Sequence, residues 1–273
     1  MTSEARDESR ESGQPIYLYR FDRQAVSWRY TSADRDTTHG GNDYAAAAIT
    51  HGSIRSGGDS SNERLDLVLP RTLPVAAIWF PYAPADEVMV TILKTHAGET
   101  DAQLIWTGRV IHPKWTDTTL TVSSEPMITL TRSAASSPRL QRSCWKTCYS
   151  QGPGLCNADP EAHRVAGTVA GVDGFTLTIA AAAGFPDGRL VNGVVEWTDA
   201  LGIAEVRTIV AHAGTQVTVD YGAASLADGL DVTLLPGCRQ SWDDCHTYFR
   251  NSVNCGALAD IPQRNPHDGN PVR

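Results

Sequence analysis

The chain has 273 residues, 41% hydrophobic and 20% charged, enough for one large domain or two to three small ones, each with a core. Its formal net charge is −8 and its Lys and Arg residues are mostly singletons. This argues against a general nucleic-acid binder, which needs a basic face to displace phosphate counterions. No apolar run approaches the ~20 residues of a membrane span.

In chain order, the opening MTSEARDESRESGQP lacks the basic and apolar segments of an export signal and reads as a flexible polar arm, residues 1–15. Strand signals then dominate. IYLYRFD, SWRYTS, LDLVLP, VAAIWFPY, VMVTILKTH, AQLIWTGRVIHPKWT and TLTVSSEP are short β-branched or aromatic runs separated by Gly, Pro, Asn and Asp. They predict an N-terminal β-barrel or sandwich over residues 16–135, with Trp28, Trp79, Trp106 and Trp115 in its core. Within it, WFPYAPADEV carries several apolar groups in a turn-rich stretch and is read as docking on a neighbour.

RSAASSPRLQR reads as a linker, and residues 136–160 carry the first cysteine group. RVAGTVAGVDGFTLTIA, VVEWTDALGIAEVRTIVAH, TQVTVDYG and DVTLLPG then predict five or six strands in a small second β unit, residues 161–236. The second cysteine group and an extended tail fill 237–273. Helical periodicity is weak. Short helices are expected near MITLTRSA, ADPEAH and SWDDCHTYF, the last N-capped by Ser241 with Asp243 and Asp244 in its first turn.

Six cysteines fall in two groups, Cys144, Cys148 and Cys156, then Cys238, Cys245 and Cys255. With no export signal the cytosol is the default place of synthesis, where disulfides are disfavoured, so the grouping favours a metal. Only Cys144 and Cys148 approach a zinc knuckle, and C-x6-C-x9-C is too open for one. Four widely spaced thiolates suit an iron–sulfur cluster, yet the spacing matches neither ferredoxin pattern. Spacing alone leaves cluster, zinc and unligated thiols open. The groups bracket the second β unit, so they meet only if that unit brings its ends together.

Several stretches resemble the tail-tip hub proteins of long-tailed phages, the family of the lambda minor tail protein L and the hub of gene transfer agents. They are YLYRF…WRYTSADRDTTHGGNDY near the N-terminus, LIWTGRVIHPKW around Gly108, and above all the C-terminal pattern. That pattern comprises Cys144, Cys148-Tyr149, Cys156-Asn157-Ala158-Asp159, Gly237-Cys238, Cys245, Phe249, Asn251, Asn254, Gly256 and Ile261-Pro262. The resemblance implies a [4Fe–4S] cluster on Cys144, Cys156, Cys238 and Cys245. Cys148 and Cys255 then replace apolar residues, and Cys148 substitutes for Cys144 if the loop YSQGPGL is re-registered.

The resemblance further implies a mainly β virion protein at the distal tail tip, synthesised in the bacterial host cytoplasm. It would form a homotrimeric ring contacting the distal tail protein, the central receptor-binding fibre and the tape measure protein. The small β-barrel unit would be inserted between the two halves of the cluster site, whose role would be structural. No catalytic residue is expected. Asp243, Asp244 and His246 read as helix-start charges around a ligand, and His51, His96, His112, His163 and His212 as isolated surface or loop residues. The rival readings are a tail-associated cell-wall hydrolase, which would need a nucleophile or zinc-bound water, and a zinc-stabilised binding module.

Overall fold

A computed structural model describes residues 14–54, 64–127 and 141–261. The chain divides into two compact units, the residues up to 134 forming the body of the first and the cysteine-bearing remainder that of the second.

The first unit is a nine-stranded sheet among the described residues. Its strands are β1 (Ile16–Arg23), β2 (Val26–Thr31), β3 (Thr37–His39), β4 (Asn42–Ala46), β5 (Thr50–His51), β6 (Leu65–Pro70), β7 (Met89–Thr95), β8 (Gln103–Trp115) and β9 (Thr119–Pro126). They lie in the order β3-β4-β2-β1-β7-β8-β9-β6-β5. Period-two alternation sets the buried face. Leu65, Leu67 and Leu69 from β6 meet Val90 and Ile92 from β7 and Leu120 and Val122 from β9, with Tyr19, Phe21 and Trp106.

The expected barrel or sandwich is instead this single sheet. Its edge strands are two and three residues long, too short to carry a ladder from one edge to the other. VAAIWFPY is not a strand. Pro74 opens a 3-10 turn over Pro74–Trp79, and Val75, Ala76 and Trp79 enter the core from a coiled backbone. Trp79 and Trp106 are buried and Trp28 and Trp115 pack against the core, as the sequence implied. In WFPYAPADEV, Trp79 and Val88 are core residues, while exposed Phe80 lies edge-on to Trp115 under the Arg71 guanidinium.

The second unit is a closed six-stranded barrel, β10 (Val165–Asp173), β11 (Thr176–Ile179), β12 (Val194–Thr198), β13 (Ala204–Ala213), β14 (Gln216–Val219) and β15 (Asp231–Leu235), ordered β10-β11-β14-β13-β12-β15. Val169, Leu177, Ile179, Val195, Ile209, Val217, Val232 and Leu234 fill it. Its first and last strands pair antiparallel, Val165 opposite Leu234, which sets the entry and exit of the barrel side by side. The two cysteine groups therefore emerge at one end. Closure also leaves no free edge.

ADPEAH makes a single turn rather than a helix. The Asp159 carboxylate accepts the Glu161 N–H, His163 N–H reaches Pro160, and β10 begins at Val165. The helix Trp242–Thr247 forms where expected. MITLTRSA beyond Met127, most of RSAASSPRLQR and most of the extended tail lie outside the described residues. Among those described, no helix is long and apolar enough to cross a membrane.

Candidate functional site

The cysteine segments run alongside each other at the base of the barrel, joined by backbone bonds. Cys144 N–H donates to Gln240 O at 2.6 Å. The Tyr149 hydroxyl donates to Pro236 O at 2.8 Å. Lys146 Nζ reaches Leu155 O at 3.2 Å and Asn254 O at 2.6 Å, stapling both groups. Asn251 Nδ2 donates to Cys156 O at 2.6 Å and lies 3.7 Å from its sulfur, and its own N–H binds Cys245 O.

Electrostatic interactions couple Cys148 to Cys238 and Cys156, and Cys245 to Cys255, Cys238 and Cys156. Cys144 is buried, its sulfur accepting the Gly256 N–H at 3.3 Å. Gln240 N–H points to Cys238 Sγ at 3.3 Å.

The backbone is strained beside three of these thiols. Tyr149 follows Cys148, Asn157 follows Cys156 and Gln240 lies two beyond Cys238, all with φ between 54° and 62°. Left-handed non-glycine residues persist only where the surroundings fix them, and they gather at functional sites. Glycine permits the closest approach. A Cβ on Gly237 would lie 2.0 Å from Val191 O, and one on Gly193 would lie 2.1 Å from Leu235 O, so the chain entering Cys238 lies directly against the turn before β12.

The electrostatics follow from crowding. The Cys148 thiol is pushed far up, first by donating to Cys238 and then by burial, with Cys156 adding to it. Cys238 is lowered to about 7, chiefly because it accepts that proton. Cys245 is pushed up to about 12 by burial first and then by its thiol neighbours. These sulfurs cannot all ionise together without a positive group among them. Asp244 and Arg189 lie behind, both buried and ion-paired through Arg189 Nη1 and Asp244 Oδ1. Asp244 Oδ2 accepts the Arg239 N–H at 2.9 Å, fixing the turn after Cys238. The Arg189 guanidinium stacks 3.5 Å from the Tyr248 ring centre, within a cluster of Tyr149, His163, Tyr248 and Phe249.

The donor set fits a sulfur-ligated group. It offers soft thiols crowded beyond what neutral sulfur needs, N–H groups aimed at sulfur, and Gly237 permitting close approach. Among the described residues, no three Cys, His, Asp or Glu side chains converge tightly enough to hold one metal ion.

Of the residues singled out from sequence, Cys148, Cys156, Cys238 and Cys245 interact electrostatically, as does Cys255 with Cys245. Cys144 meets the second segment through its N–H on Gln240 O and its sulfur under the Gly256 N–H. Ser241 caps the short helix by accepting the Asp244 N–H, the Asp244 carboxylate pairs with Arg189, and exposed His246 stacks on Trp242. His163 lies in the aromatic cluster, and His96 and His212 are buried rather than surface residues. His212 is held where its Nε2 meets Ala182 O and Gly214 O. The contributions of Arg189 and Lys146 carry no signal in the sequence, because each is remote from its partners along the chain.

Three comparisons bear on this geometry. A family model described as a phage conserved hypothetical protein, BR0599, matches residues 188–265, which span the barrel's second half, Cys238, Cys245 and Cys255. An uncharacterized protein of Xylella fastidiosa (strain 9a5c) is 35% identical over 182 residues, 62% of this chain and 38% of that protein. The chain thus spans well under half the length of that relative. A chain in the solved virion of a native gene transfer agent particle superposes with a TM-score of 0.81 at 15% identity, covering 100% of this chain and 96% of that one. The two share a fold.

Proposed function

We propose that the chain is a structural component of a phage-type virion, a hub at the distal tail tip. The observation that carries this reading is the shared fold, along the whole chain, with a protein of a gene transfer agent virion. The family model of phage proteins over the barrel and second cysteine group supports it. The hub acts as a homotrimeric ring between the distal tail protein and the central fibre, with the tape measure protein as a further neighbour. Rings of this kind close by rotation of one heterologous contact.

In this reading Cys148, Cys156, Cys238 and Cys245 hold a [4Fe–4S] cluster, with Cys148 in place of Cys144. Such a group, when bound, supplies cationic charge among thiolates and a cross-link that exists only in the folded state. The chain's own residues do the rest. Gly237 admits the close turn, Gln240 and Asn251 orient Cys238 and Cys156, and Lys146 ties the two segments.

Two measurements test the proposal. Gold-labelled antibody against the chain should mark the distal end of the particle's tail, and labelling of the capsid or of no particle overturns the hub. Anaerobically purified protein should contain iron and acid-labile sulfide in equal amounts and absorb near ~400 nm. Cys148→Ser should lose the iron while Cys144→Ser keeps it. Zinc without iron overturns the cluster, and the reverse pattern between the two variants restores Cys144 as ligand.

A further inference from the structure

The two cysteine segments are joined by hydrogen bonds of the chain itself. Cys144 N–H donates to Gln240 O and the Tyr149 hydroxyl to Pro236 O. Cys148 precedes Tyr149 and Cys238 lies between the two acceptors, so these bonds flank this pair of thiols. Both also line one cavity of ≈ 290 Å³, walled by Trp145, Asn192, Gly193, Val194 and Thr208. Cys245 also interacts with Cys156 across the barrel's base and with Cys255 within its own segment, but neither of those pairs lines this cavity.

We infer that Cys148 and Cys238 are a disulfide-forming pair in the metal-free chain, a covalent clasp across the barrel's ends that takes low-molecular-weight disulfides as its oxidant. In the first step one of the two sulfurs, as thiolate, attacks a glutathione disulfide. It forms a mixed disulfide and releases one glutathione thiolate. The second protein thiolate then attacks the mixed disulfide at the protein sulfur and releases the second glutathione. Two protein thiols lose two protons and two electrons, and one glutathione disulfide becomes two glutathiones.

The bond would close a loop of about 90 residues around the whole barrel, the long-loop case in which a cross-link constrains the unfolded chain most. A particle leaving a reducing cytosol for an oxidising exterior meets the conditions in which such a bond persists. The inference concerns the metal-free chain, so it stands or falls separately from the cluster.

The test uses the full chain freed of metal with a chelator, incubated with oxidised glutathione, blocked with an alkylating reagent and digested without reductant. Mass spectrometry should find a peptide joining Cys148 to Cys238 that separates on reduction, with two fewer free thiols per chain. The melting temperature should rise by about 5 °C or more. The untreated protein, carried through the same oxidation, should form the linked peptide only as its metal is released. Cys148→Ala should abolish the linked peptide and the added stability, whereas Cys144→Ala should leave both. Recovery of Cys148 and Cys238 as free thiols or separate glutathione adducts overturns the inference, as does a dominant link through Cys144 or Cys255. Equal iron and sulfide in the untreated protein, with no linked peptide in the oxidised metal-free chain, would sink the clasp and leave the cluster standing.

Discussion

Replacing Gly237 with alanine should destabilise the barrel unit sharply, although it adds a single methyl group. The added Cβ would lie 2.0 Å from Val191 O, 2.4 Å from Asn192 C and 2.4 Å from Gly193 N, all backbone atoms. A carbon–oxygen contact needs more than 3 Å, so one chain must retreat by about 1 Å. Neither is free to do so. Asn192 N–H is bonded to Ile209 O at 2.9 Å and Ile209 N–H returns to Gly193 O at 2.9 Å, which pins the turn to β13. On the other side Leu234 and Leu235 are packed, and Cys238 follows immediately. Overpacking costs about 1–3 kcal/mol where side chains can yield, and rigid backbone on every side places this case at the upper end, about 3 kcal/mol. For a unit of this size that is a fall of roughly 10 °C in the melting temperature, read by calorimetry. Gly184→Ala is the control, since a Cβ there meets nothing within 4 Å, and it should change stability by less than about 0.5 kcal/mol. A Gly237→Ala protein melting within 2 °C of the parent would refute the close approach, and with it the reason glycine precedes Cys238.

Arg189→Met should cost about 3–5 kcal/mol in chemical denaturation, because it leaves the buried Asp244 carboxylate unpaired. Adding Asp244→Asn should recover more than half of that loss, and additive single losses would count against the pair. Asn251→Ala removes the bond to Cys156 O and the 2.8 Å bond from Asn254, and should cost about 1–2 kcal/mol by the same assay. In the first unit, burial lowers the His51 pKa, and its Nδ1 meets the Tyr19 hydroxyl at 2.8 Å. The folded unit therefore binds fewer protons than the unfolded one. The His51 contribution is complete above the ordinary histidine value near ~6.5 and is lost as pH falls through the lowered folded value. Melting of that unit should weaken between about pH 7 and 5, and His51→Gln should flatten the dependence. An unchanged slope in the variant would assign the effect to other groups.

Much of the fold is legible because strand pairing rewards the patterns that sequence displays. LDLVLP buries Leu65, Leu67 and Leu69 on one face, and the barrel's strands alternate in the same way, so position and facing follow from period two. VAAIWFPY misleads for a physical reason. Its composition suits a strand, but Pro74 fixes the entry and the run buries Val75, Ala76 and Trp79, which a coiled turn can do and a flat strand cannot. ADPEAH has helix-like residues but only one turn of chain before β10, too little to nucleate a helix against the Asp159 carboxylate's own local bond. Closure of the second unit is a matter of which strands become neighbours, and the pairing of β10 with β15 is a long-range choice that periodicity does not encode.

The site follows the same division. Sequence shows where the thiols are and that they come in two groups bracketing a β unit, and the barrel's adjacent ends make that bracket a meeting point. Sequence does not show which thiol of the first group faces inward. Cys144 and Cys148 are one helical turn apart in spacing, yet the backbone between them is irregular and turns left-handed at Tyr149, so spacing carries no facing. Cys144 is bonded through its backbone to Gln240 and its sulfur accepts the Gly256 N–H, while Cys148 lines one cavity with Cys238. A resemblance in sequence aligns residue types, whereas thiol chemistry depends on which sulfurs share a space. Here Cys148, aligned with an apolar position, lines one cavity with Cys238, and Cys144, aligned with a ligand, accepts the Gly256 N–H at its sulfur.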